Sequence, residues 1–156
     1  MWCAAVLIAC STQPRNRGRD AIEASGELRF ENYQASDCEV AGPSPVERCS
    51  RGHYTGGLEA TGYYAVQSMQ PSAPDGIVFI TEKEVLRLAD GELYGRVNAV
   101  FNSKSPDGEV ASLHTITGGT GRYSGASGYI QLWRERGETF GYTALIHLVA
   151  PGTVTR

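Results

Sequence analysis

Two glutamates, Glu82 and Glu84, stand two residues apart in a run that places them on one parity with Val78, Ile80, Leu86 and Leu88. Along a strand, that spacing brings two side chains to one face, ~7 Å apart. If the face is interior, burial disfavours ionisation, and one carboxyl takes a raised pKa and can act as a general acid. The competing reading is a bulge or an outward face that turns both to solvent, because buried unpaired carboxylates are rare. Tyr94, Arg96 and Asn98 form a second polar stripe, opposite Leu93, Val97 and Phe101. Inside a barrel they would anchor a carboxylate or carbonyl group of a ligand. Outside, they are simply the solvated face of a strand. His53, His114 and His147 are scattered without a His-x-His pair, so their spacing supports no zinc site, and neither metal nor cofactor is expected. Tyr129, Trp133, Phe140 and Tyr142 read as core or subunit contacts.

The elements that must carry these residues are strands. Apolar and polar residues alternate over 23–33, where Ala24, Gly26, Leu28 and Phe30 oppose Glu23, Ser25, Glu27 and Arg29. The pattern predicts further strands over 54–69, 77–88, 93–101, 110–117, 128–134 and 140–149. Helix formers make helix a rival over 81–89. The turn signal Ala89-Asp-Gly-Glu92 favours strands on both sides of it. Seven or eight strands joined by short loops, with no firm helix, suggest a meander closed into a barrel or a sandwich. Closure removes exposed edges.

A length of 156 residues suits one domain. A fold of this size buries roughly 68–70% of its unfolded surface, so it needs no metal or disulfide to hold together. The formal charge of −3 carries no basic block, so nucleic acid is not an expected partner. No apolar run approaches the ~18–20 residues of a membrane span.

Leu7-Ile8-Ala9-Cys10 has the form of a lipobox, with a polar stretch after it as a tether. On this reading Cys10 is lipidated and ties an exported, periplasmic or membrane-anchored protein to the membrane. Only nine residues without Lys or Arg precede Cys10, short of a full leader, so the reading implies a start further upstream. The alternative is a cytoplasmic protein with Cys10 as an ordinary thiol. Cys38 and Cys49 flank a Gly/Pro-rich segment, and a disulfide there would close a short loop in an oxidising compartment. Two unpaired thiols are the other reading. The expected organisation is a leader and tether over 1–21, a barrel over 22–150 and a tail over 151–156.

The most distinctive stretch is Ile116-Thr-Gly-Gly-Thr-Gly-Arg-Tyr-Ser-Gly-Ala-Ser-Gly128. It lacks the third glycine of a dinucleotide fingerprint and the Gly-Lys of a phosphate loop. A bent, glycine-lined connection between strands is the physical reading. With Tyr129-Ile-Gln-Leu-Trp133 and Thr139-Phe-Gly-Tyr-Thr143, it resembles the allene oxide cyclase and dirigent barrel superfamily. The resemblance is firm over about 110–148 and faint over 22–105. It implies an all-β fold, a closed antiparallel eight-stranded barrel with an apolar lumen open at one end, and homotrimers. It also implies that the lumen holds a small hydrophobic intermediate and steers its ring closure, largely by confinement. The cyclases place a glutamate and an asparagine two residues apart on the first strand. Asn32 matches the asparagine, but Phe30 replaces the glutamate, and Tyr64 or a neighbour replaces a lumen thiol. These departures argue against allene oxide cyclase activity itself.

Three functions remain from the sequence. One is a ligand-holding barrel that steers a cyclisation or isomerisation. Another is a non-enzymatic, lipid-anchored envelope carrier. The third is an interaction module with a solid core.

Overall fold

The structure is a computed structural model that describes residues 20–31, 37–72, 76–105, 109–136 and 139–149. Eight strands run in chain order: β1 Ala21–Phe30, β2 Cys49–Gly56, β3 Ala60–Ser72, β4 Ile77–Leu88, β5 Gly91–Asn102, β6 Val110–Gly119, β7 Ser127–Arg136 and β8 Thr139–His147. Each pairs antiparallel with the next, and β8 returns to β1 in the register Ala21↔His147 to Arg29↔Thr139. The sheet is a closed barrel. A short helix, α1 (Asp37–Ala41), lies in the β1–β2 connection.

The alternating parity sets what faces inward. Leu28 and Phe30, Tyr54, Tyr64, Glu84 and Leu86, Leu93 and Val97, Ile130 and Leu132, and Phe140 to Ile146 on even positions turn into the barrel. The predicted strand over 54–69 is a hairpin instead. Its two arms are β2 and β3, and the turn falls at Gly56-Gly-Leu-Glu59. Gly56 has φ +98°, and a Cβ there would stand 2.8 Å from the Ser25 carbonyl oxygen of β1. Only glycine tolerates both conditions. Leu58 then folds back over the barrel end, where its amide donates to the Tyr142 hydroxyl at 2.8 Å.

The glycine-rich segment closes the same end. A single 3-10 turn at Gly121–Tyr123 buries Tyr123 in the core cluster that also holds Leu58, Ala126 and Leu148. Gly121 (φ +57°) packs against the Asp90 carbonyl of the β4–β5 turn, too close for a side chain. The Arg122 amide donates to that carbonyl at 3.1 Å, and the Thr120 amide to Glu92 at 2.8 Å.

At the opposite end, inward residues are only partly buried among the described residues. They include Phe30, Ser50, Val78, Ile80, Glu82, Ala99, Phe101, Val110 and Arg134. The Cys38–Cys49 disulfide stands beside this rim, with Cα atoms 5.4 Å apart. It holds α1 against β3 in a small cluster of Ala41, Cys49 and Ala65. The following loop is hydrogen-bonded across the β-bulge at Val66/Ser68: Val66 N donates to Arg48 O at 2.9 Å, and Ser44 Oγ donates to Val66 O at 2.6 Å.

Candidate functional site

The barrel floor beneath that rim holds a buried polar chain. Glu84 projects inward from the middle of β4 and is 2% exposed. Its Oε1 accepts from His114 Nδ1 of β6 at 2.7 Å and from the Tyr54 hydroxyl of β2 at 3.4 Å. Tyr64 of β3 donates its hydroxyl to Tyr54 at 2.9 Å. On the other side of the imidazole, His114 Nε2 meets Ser112 Oγ at 3.1 Å. Four strands, β2, β3, β4 and β6, thus contribute to one hydrogen-bonded chain centred on the carboxylate. Apolar residues line this part of the core: Val97, Leu132 and Phe140 are buried, and Phe30 meets the Tyr64 ring at a tilt and the Phe140 ring edge-on, at 5.4 and 5.3 Å between ring centroids.

The second carboxylate oxygen differs from the first. Glu84 Oε2 is buried and has no hydrogen-bond partner among the described residues. Room for it comes from Gly95, its cross-strand neighbour, where a Cβ would stand 2.6 Å away. The oxygen is thus sealed against the β5 backbone, and leaving it without a donor carries a desolvation cost.

The electrostatics are set by burial. Tyr54 and Tyr64 have pKa values raised well above 10, first by desolvation, with the Glu84 charge adding to the effect. Both phenols therefore stay neutral and remain donors. Glu82 lies one inward position nearer the rim and is partly exposed. Desolvation raises its pKa to about 7, with His114 opposing and the Glu84 charge reinforcing the shift. Such a carboxyl can hold or release a proton at neutral pH.

This shift has a measurable consequence. Between pH 4.5, the ordinary glutamate value, and about 7, the folded chain holds more proton at Glu82 than the unfolded chain does. Its contribution to stability is therefore fully present at low pH and lost as pH rises through that window. Glu82→Gln is expected to remove this slope and to stabilise the protein at pH 8 by about 1–3 kcal/mol. Urea unfolding at pH 5 and pH 8 measures it.

A cleft of about 530 Å³ opens at the rim beside Glu82. Val66, Met69 and Ile80 form its apolar wall, and Glu47, Arg48 and Ser50 its polar edge.

The structure brings together only part of what the sequence suggested. Glu82, Glu84 and Tyr64 face the lumen. Tyr94, Arg96 and Asn98 do not: all three lie exposed on the outer face, because Leu93, Gly95 and Val97 take the inward parity of β5. Tyr94 donates its hydroxyl to Glu92 out there, at 3.1 Å. They are therefore not lumen ligands. Asn32 and Cys10 lie outside the described residues. The histidines do not meet. His53 pairs with Glu31 on the outer surface at 2.8 Å, His147 ends β8, and His114 alone is interior. Phe140 and Tyr142 are core, whereas Tyr129 and Trp133 are 43% and 40% exposed on the outside.

Sequence reasoning passed over Tyr54 and His114 as partners of Glu84, and Ser112 as the partner of His114. The available signal was parity: Ser112 and His114 share the face of Val110 and Ile116, as Glu82 and Glu84 share that of Ile80 and Leu86. The class defined by the geometry is a closed eight-stranded antiparallel barrel with a buried carboxylate–imidazole pair in its lumen. No family model matches the chain, and neither the curated proteins nor the solved structures give a match.

Proposed function

We propose that the barrel binds a small hydrophobic molecule in its lumen and steers its isomerisation or cyclisation, in the manner of the allene oxide cyclase and dirigent barrels it resembles. One observation carries the reading: Glu84 holds a buried carboxylate oxygen with no hydrogen-bond partner among the described residues, within the apolar interior of the barrel and one inward position below the rim cleft at Glu82. Such an oxygen can accept a hydroxyl donor, or take a proton from carbon next to a carbonyl group. Glu82, with its pKa of about 7, is the group beside it that can return a proton. Walls made of Phe30, Val97, Leu132 and Phe140 would hold the substrate in one orientation, which is itself a source of rate and stereochemistry.

The non-enzymatic reading is an exported, lipid-anchored carrier, and the Cys38–Cys49 bridge favours an oxidising compartment for either version. Self-association draws support from an apolar row on the outer face. Phe79, Val100, Ala111 and Trp133 are successive cross-strand partners over β4 to β7. Phe79, Val100 and Trp133 in that row are 50%, 39% and 40% exposed.

The binding claim is tested by titrating a fluorescent long-chain fatty acid into the protein. Saturable binding at one site is expected. Ala99→Trp, which fills the rim from an inward position, is expected to weaken it at least ~10-fold, the loss of one good apolar contact surface. Binding that does not saturate, or that ignores Ala99→Trp, would contradict a lumen site.

A further inference from the structure

Ser112, His114 and Glu84 form a hydroxyl–imidazole–carboxylate line. Ser112 Oγ stands 3.1 Å from His114 Nε2, and His114 Nδ1 stands 2.7 Å from Glu84 Oε1. The order of contacts matters. A carboxylate on Nδ1 fixes the proton there and leaves Nε2 as an acceptor facing the serine. Glu84 is itself held by Tyr54, and Tyr54 by Tyr64, so the base is oriented from behind by a chain that ends in the core.

Exposure is graded along the line. Glu84 is 2% exposed and His114 1%, whereas Ser112 reaches 8%. On β6, Ser112 is one inward position nearer the partly buried rim than His114. Its cross-strand neighbours are Ala99 of β5 and Leu132 of β7. Arg134 is the next inward residue beyond Leu132, with its guanidinium 5.1 Å from the centroid of the Phe140 ring.

From this arrangement we infer that Ser112 is an activated nucleophile and that the barrel takes an acyl group from a hydrophobic ester. The inference rests on the lumen admitting a hydrophobic molecule. Ser112 Oγ attacks the ester carbonyl carbon while its proton passes to His114 Nε2. Arg134 is the cation on that wall for the carbonyl oxygen as it gains negative charge. The bond from carbon to the alcohol oxygen then breaks, and His114 returns the proton to the departing alkoxide. Acyl-Ser112 remains. Water, deprotonated by the same imidazole, releases the carboxylic acid and restores the hydroxyl. The net change is ester plus water to acid plus alcohol, with no redox partner.

The test uses the full chain with p-nitrophenyl butyrate and p-nitrophenyl octanoate, and separately with an alkyl fluorophosphonate. The expected result is covalent labelling at one equivalent, mapped to Ser112 by peptide mass, and a p-nitrophenolate burst of the same stoichiometry. Ser112→Ala should abolish both while leaving the far-UV circular dichroism of the barrel unchanged. His114→Gln, which keeps a polar side chain near the same volume, should slow acylation at least ~10³-fold, the scale of losing a general base. Absence of label at Ser112, or undiminished ester turnover by Ser112→Ala, overturns the nucleophile. Retained fatty-acid binding in that case leaves the ligand-binding reading standing. Failure of fatty-acid binding with labelled Ser112 does the opposite.

Discussion

Replacing His114 with alanine is expected to lower the unfolding free energy by about 3–5 kcal/mol, because it strands a buried carboxylate. Glu84 Oε1 takes its shortest hydrogen bond from His114, at 2.7 Å, and both side chains are sealed from solvent. What remains after the substitution is one longer contact to Tyr54, at 3.4 Å, and a space where the imidazole met the Tyr64 ring edge-on. A loss of this size is a large share of the ~5–15 kcal/mol that holds a typical domain folded. The pair itself is not a source of net stability. Replacing both residues together, as Glu84→Leu with His114→Leu, is expected to cost much less than His114→Ala alone, since no charge is then left buried. Urea titrations of the two single variants and the double variant, compared at constant slope, measure both quantities. A harmless His114→Ala would mean that the carboxylate is not charged or not buried.

Breaking the Cys38–Cys49 bridge is the second large effect. The cysteines are 11 residues apart, and closing a loop of that length removes chain entropy worth about 3 kcal/mol from the unfolded state. The bridge also has a local role. It anchors α1 and the loop whose Glu47 and Arg48 edge the rim cleft. Cys38→Ser with Cys49→Ser is therefore expected to lose about 3 kcal/mol and to weaken fatty-acid binding as well. A reducing agent should do the same to the unmodified chain and leave the double variant unaffected. Equal stability with and without reductant would contradict this.

Much of the barrel was legible because most strands alternate cleanly. β1, β4 and β5 each show an apolar parity that the structure turns inward. β2 was the exception, and its cause is visible in the packing. Its inward positions are Ser50, Gly52 and Tyr54, so only one carries a large ring. A side chain at Gly52 would meet Leu28 Cδ1 at 2.8 Å. The neighbouring strand fills the space that β2 leaves empty, and an apolar stripe is not needed there. The site was half legible for a related reason. On β4 the glutamates stand out against aliphatic neighbours, and the inward parity is plain. On β6 the outer face carries Leu113, 47% exposed, so the contrast that would have marked Ser112 and His114 as interior is weak. Convergence itself has no sequence signature. Tyr54 and Glu84 lie 30 residues apart, as do Glu84 and His114, and only closure of the barrel brings them together.

The central claim is a lumen that holds a hydrophobic molecule above Glu84. A native mass spectrum of the protein produced in a bacterial host tests this most directly. The predicted result is a folded species, trimeric if the outer apolar row self-associates, carrying one extra small mass per chain that Ala99→Trp displaces. A bare chain mass, unchanged by added fatty acid and identical in Ala99→Trp, would contradict it.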